Sequence, residues 1–329
     1  MIRTPDRDLP RRRRPLRGIV AVALCTVATL PTCGGDEEPG RLPAAAAAPA
    51  DTPVVAPRPV GRRYERNVAF LTTGSDSALA VPWLVTAATR AGGVDRSARA
   101  WLVRDGTWEA FVSERWSTPP TRAPWRILPQ GPMRLVVGQD ESLERLVYAA
   151  GARELEVRMG APLVEWTGRG GETFRVLEGD LVLAGSRSTG LILDMGRSSE
   201  AGAATGGDWA FLVGRRNLQV VLHARISPGN PFRGWARLDF RELDFAELEV
   251  TWSETRPFER ARREVPVVWA LATPDGRLEG RLEVRSAQLE AGEGEGPQLP
   301  VDAIFEVAGT LTIEGVDHAV RGLFRHTQG

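Results

Sequence analysis

The chain has 329 residues and no net formal charge, and all 42 of its basic residues are arginine. The lack of lysine excludes Schiff-base catalysis, Ser-x-x-Lys acylation and the phosphate-binding P-loop, each of which needs an ε-amine. Both cysteines, Cys25 and Cys33, lie in the first tenth of the sequence. The remainder can therefore carry no thiolate nucleophile, zinc–thiolate centre, iron–sulfur cluster or disulfide.

Residues 1–32 hold seven arginines, Arg3, Arg7, Arg11 to Arg14 and Arg17, and two aspartates. The chain beyond them carries 35 Arg against 40 acidic residues, a mildly acidic balance that argues against nucleic acid as a partner. The basic region is followed by an apolar run over residues 18–30, then by Leu30-Pro31-Thr32-Cys33. The run is too short to span a bilayer as a helix, and basic region plus short apolar run reads as an export signal. The segment resembles a bacterial lipoprotein signal. That resemblance implies a signal peptide over 1–32 and lipidation of Cys33. It also implies attachment to a bacterial membrane, with the outer membrane facing the periplasm as the expected site. Residues 33–60 contain five consecutive alanines and repeated prolines, a composition that reads as a disordered tether.

From Arg62 onward the pattern is of strands. In residues 246–253, Ala246, Leu248, Val250 and Trp252 alternate with polar side chains. In 278–286, Leu278, Gly280, Leu282 and Val284 do the same. A period of two marks a half-buried antiparallel strand. Pro274-Asp275-Gly276 predicts a turn that joins 265–273 to 278–289 as a hairpin. Strands are predicted over 303–308, 310–314 and 319–325, with turns near Gly309 and at Val316-Asp317. In the first half, strands are predicted over 108–116, 133–138, 143–149, 154–159, 163–167, 172–177, 180–184 and 189–195. Two stretches, 81–89 and 237–250, are compatible with helix. The fold class is all-β, with two antiparallel barrel or sandwich lobes over 61–200 and 201–329. The boundary falls in the loop-like segment 197–208.

Candidate functional residues are few. His223 and Arg225 stand two apart on one strand face, a pair able to hold a carboxylate or phosphate. Ten tryptophans against two tyrosines suggest either core packing or an aromatic-lined cavity. Trp209, Trp252 and Trp269 are the candidate ligand contacts, with Trp252 expected to face inward beside Leu248 and Val250. The three histidines show no metal-ligand spacing, so no metal, cofactor or catalytic residue is assigned.

Val265-Pro266-Val267-Val268-Trp269-Ala270-Leu271, the turn at Pro274-Asp275-Gly276, and the hairpin on to Gly309-Thr310-Leu311-Thr312-Ile313-Glu314-Gly315 resemble the closing region of two-lobed lipocalin-like proteins of the AttH and carotenoid-hydratase type. Residues 309–322 also resemble the last hairpin of YceI-like isoprenoid-binding barrels. Both resemblances imply β-barrel lobes around an apolar ligand. Gly234-Trp235-Ala236-Arg237-Leu238-Asp239 only faintly echoes the tryptophan motif of the hydratase type, so no catalytic residue is carried over.

The resulting expectation is a monomeric exported lipoprotein that binds a lipid, isoprenoid or other apolar small molecule. A hydratase or isomerase acting on such a ligand is the first alternative, and a structural envelope lipoprotein the second. Two or more chains on one cysteine give stable anchoring that a single chain does not. Radiolabelled palmitate is therefore expected to label the wild type and not Cys33→Ser. Unlabelled, soluble release of both forms would overturn the anchor.

Overall fold

The period-two segments fold as strands, and so do apolar segments that lack the period. The computed structural model of the protein describes residues 61–73, 78–138, 142–167, 172–200, 207–224 and 231–329. Every regular element among the described residues is a β-strand. The signal, Cys33 and the tether lie outside the described residues.

The first lobe is a nine-stranded antiparallel sheet. Its strands are β1 (Arg63–Thr72), β2 (Leu79–Arg90), β3 (Gly93–Arg104), β4 (Thr107–Thr118), β5 (Met133–Val137), β6 (Leu143–Ala150), β7 (Arg153–Thr167), β8 (Thr173–Leu183) and β9 (Ser186–Ser199). The order β4-β3-β2-β1-β9-β8-β7-β6-β5 joins the first strand to the last. The sheet curls far enough for Phe111 of β4 to meet Tyr148 of β6 edge-on at 5.4 Å. Phe70, Trp83, Met133, Leu146 and Leu155 fill the space inside.

The second lobe is a closed barrel of β10 (Trp209–Gly214), β11 (Gln219–Ala224), β12 (Phe232–Leu238), β13 (Arg241–Phe258), β14 (Arg263–Ala272), β15 (Leu278–Ala291), β16 (Val301–Ile313) and β17 (Val316–Gln328). Its interior is packed. Trp269 stacks on Phe324 at 4.4 Å and meets Phe305 edge-on at 5.1 Å. Both lobes are barrel-shaped, and the lipocalin-like two-lobed architecture is present.

Several local expectations are corrected. Residues 81–89 form β2 and not a helix, because both faces are covered: Trp83 and Val85 point into the lobe core while Leu84 points at the neighbouring lobe. Residues 237–250 form the β12–β13 hairpin. It turns at Asp239-Phe240, whose φ values of 46° and 71° are unusual without glycine. The two strands predicted over 154–167 are one strand, β7, whose register shifts around Pro162. Proline cannot donate to the ladder, so it occupies the irregularity. The segments 172–177 and 180–184 are likewise continuous in β8, as are 303–308 and 310–314 in β16. Gly309 makes no turn. A Cβ there would lie 1.9 Å from the Arg281 carbonyl oxygen, so glycine is needed for close strand approach. The turn falls instead at Glu314-Gly315.

A third apolar cluster joins the lobes. Leu71, Leu84, Trp101 and Leu193 on the outer face of the first lobe pack against Trp209, Phe211, Val221 and Leu323 of the second. Polar contacts flank it. Arg325 of β17 pairs with Glu65 and donates to Asn67 at 3.2 Å, both on β1, and it also binds Asp302. Arg99 of β3 pairs with Asp302 and Glu290 across the same seam. Burial pushes Arg325 down to about 10 and holds the Asp302 carboxyl above the usual range despite Arg99. Phe211→Ala is expected to cost roughly 3–5 kcal/mol in urea unfolding. A cost below about 1 kcal/mol would show that the lobes do not depend on the seam.

Candidate ligand pocket at the end of the first lobe

Asp194 is a carboxylate inside an apolar run, Leu191-Ile192-Leu193-Asp194-Met195. Strand alternation turns Leu191, Leu193 and Met195 to the seam. Asp194 is thereby turned to the same side as Ile192, inside the first lobe. It is 5% exposed, so its charge has to be met by partners. Cross-strand neighbours supply them. Arg66 of β1 donates from Nε to Oδ1 at 2.8 Å and from Nη2 to Oδ2 at 2.7 Å. Arg175 of β8 donates from Nη2 to Oδ2 at 2.7 Å. Burial alone would push this carboxyl up, but the hydrogen bonds and charges of the two arginines outweigh it and hold Asp194 below the ordinary aspartate range.

These residues floor a cavity of about 610 Å³ at the end of the lobe where β1 and β8 begin and β2, β7 and β9 end. Its walls include Tyr64, Val85, Ala87 and Trp125; Trp166 and Phe174 border it, their rings on the seam face with Met195. Tyr64 and Trp125 pack at 5.9 Å, and Trp166 stacks on Phe174 at 5.3 Å. Five arginines line it, Arg66, Arg96, Arg126, Arg175 and Arg197, against the carboxylates Glu65, Glu165 and Asp194. Glu65 is already engaged by Arg325.

Two of the arginines are buried with an N–H left over. Arg96, 4% exposed, donates from Nε to Thr118 Oγ1 at 3.1 Å. Its Nη1 donates to the carbonyls of Pro124 at 3.1 Å and Arg126 at 2.7 Å. Its Nη2 has no acceptor. Arg197 donates from Nη1 to the Gly207 carbonyl at 2.8 Å, and its Nε has no acceptor. Burial lowers Arg96 and pushes Arg197 down to about 10. An unmet buried donor costs about 1–3 kcal/mol, and more when charged. Arg197 also lies in the field of Asp208 and Glu172, whereas Arg96 has no carboxylate partner in any ion pair among the described residues.

The residues singled out from sequence stand elsewhere. Trp209 is fully buried in the seam, and Trp269 in the packed interior of the second barrel. His223 is buried behind the pocket wall, its ring 5.2 Å from Trp166 and 6.3 Å from Phe174. Arg225 lies outside the described residues. Trp252 pairs with Trp269 and so shares its inward face, but at 44% exposure it stands at the barrel rim. There it meets His326 edge-on at 4.9 Å, and His326 is held by Asp208 and Gln328. These positions do not converge on a common cavity, because the second barrel is filled along its axis. In an arginine-rich chain the pocket arginines carry no local signal. Asp194, alone in an apolar strand, was the one available signal.

No family model and no curated protein sequence matches the chain. Among solved structures, an AttH-type protein from Nitrosomonas europaea superposes with a TM-score of 0.55 at 13% identity, covering 81% of this chain and 92% of that one. Kievitone hydratase from Nectria haematococca superposes with a TM-score of 0.50 at 15% identity, covering 80% and 88%. The shared feature is the two-lobed lipocalin-like fold.

Asp194→Asn removes the charge that balances Arg66 and Arg175. It is expected to cost roughly 3 kcal/mol, the low end for breaking a buried pair, because both arginines are about a quarter exposed. The folded carboxyl titrates below the unfolded one. The contribution of Asp194 is therefore complete above the unfolded pKa of about 3.9 and is lost as pH falls through the lower folded value. Urea unfolding as a function of pH should show wild type and variant converging in acid. A constant difference at all pH values would contradict this account.

Proposed function

We propose that the protein binds a small molecule with an aromatic or aliphatic body at the end of the first lobe, at a membrane to which Cys33 anchors it after export. The observation that carries this reading is the 610 Å³ cavity lined by Tyr64, Val85, Ala87 and Trp125 beside Arg66, Arg96 and Asp194. Its volume is that of small-ligand sites, and it sets these apolar side chains beside eight charged ones, five of them arginine. The binding place is thus in the first lobe and not against Trp252. Of the relatives in fold, kievitone hydratase is an enzyme by name, but the chemistry of this pocket favours binding. A hydratase acid must hold a proton near neutral pH. Asp194 is kept ionised with its oxygens engaged by two arginines.

The neutral probe N-phenyl-1-naphthylamine tests the pocket without regard to charge. It is expected to bind saturably, with energy transfer from tryptophan. Ala87→Phe places a ring where Ala87 lines the cavity, and binding should weaken by at least about tenfold with an unchanged β circular dichroism spectrum. Equal binding by the variant, or no saturable binding by wild type, would overturn the pocket.

A further inference from the structure

The first-lobe pocket holds more cation than its own carboxylates answer. Glu65 faces Arg325 across the seam. Asp194 is shared between Arg66 and Arg175. Glu165, on the rim and 61% exposed, lies 3.7 Å from Arg175. Arg96 remains. Its guanidinium is buried in the pocket wall and anchored on one side by Thr118, Pro124 and Arg126, with Nη2 lacking an acceptor. A guanidinium fixed at one edge and unmet at the other is preorganised for an anion, since the cost of ordering the side chain is already met by the protein. The carbonyls it holds belong to the segment carrying Trp125, whose ring stands over Tyr64. Arg96 thereby ties the cationic point to the aromatic wall.

Resting on the pocket reading above, we propose that the ligand is amphipathic. Its anionic group, a carboxylate or a phosphate, is received by Arg96, and its apolar body lies along Tyr64, Val85 and Trp125. Asp194 keeps Arg66 and Arg175 from competing for that group and leaves the floor polar without making it repulsive.

The test is displacement of N-phenyl-1-naphthylamine by three ligands with the same tail: laurate, dodecyl phosphate and dodecanol. In wild type, laurate or dodecyl phosphate should displace the probe at concentrations about tenfold or more below dodecanol, and whichever of the two is stronger identifies the head group. The advantage should shrink with added salt. In Arg96→Gln the advantage should fall to within about twofold while the neutral probe still binds. Arg96→Lys keeps the charge and should retain part of the preference, and it serves as the deciding variant if the glutamine form loses the probe. Equal displacement by all three ligands in wild type would overturn the anionic head group and leave the pocket standing. Full preference retained in Arg96→Gln would overturn the role of Arg96. A neutral probe that never binds would overturn the pocket itself.

Discussion

The structure depends on a seam in which strands are covered on both faces. In β1, β9, β10 and β11, one face enters a lobe core and the other enters the interface, so Phe70 and Ile192 point inward while Ala69 and Leu193 point at the second lobe. The two lobes share this wall, and removing either would expose a sheet face of leucine, phenylalanine and tryptophan to water. The buried ions at its edge act differently. Arg325 reaches Glu65 and Asn67 on one side and Asp302 on the other. Desolvating such a cluster offsets much of the attraction within it, so its contribution lies in orientation more than in net stability. A planar guanidinium with several donors in a rigid fork suits that task better than an ammonium, and this chain has only arginine to use.

The seam also borders the pocket. Trp166 and Phe174 turn from the pocket edge to the seam and pack on His223 and Trp235 of the second barrel. Arg233 lies over Trp166 from the same side at 5.1 Å. The packed second lobe thus supports the strands that border the cavity in the first. Buried arginine is used in both places with opposite balance. At the seam, Arg99 and Arg325 meet Glu65, Glu290 and Asp302. In the pocket, one aspartate serves two arginines, and two more, Arg96 and Arg197, each keep a donor unmet.

How much was legible in the sequence follows from which faces are buried. β13 and β15 have one wet face, so Leu248, Val250, Leu278 and Leu282 alternate with charged residues and read plainly as strands. The double-faced strands show apolar runs without a period, which is why β2 was compatible with helix and β1 and β3 were not singled out. A bulge near Phe245 and Leu248 shifts the phase in β13, so Ala246 is exposed although it fitted the alternation. Hairpins without a glycine signal, such as that at Asp239-Phe240, were invisible as turns. Of the site, only Asp194 was marked locally. Arg66 and Arg175 lie 128 and 19 residues from it and meet it through strand register alone.

By itself the sequence determined the all-β class, the independence from lysine chemistry and, beyond Cys33, from disulfides and thiol chemistry, and the two-lobed lipocalin-like resemblance. The class and the exclusions follow from residue types and local period, which need no partner strand to be read, and the resemblance rests on the segments 265–271 and 309–315. Tertiary structure decided which apolar residues face a core and which face the other lobe, which glycines turn and which admit a close strand, and where a cavity remains. It placed that cavity in the first lobe, because closure of the second barrel around Trp269, Phe305 and Phe324 fills its axis. It also decided which arginines are answered by a carboxylate, since that depends on pairings more than a hundred residues apart, such as Arg66 with Asp194.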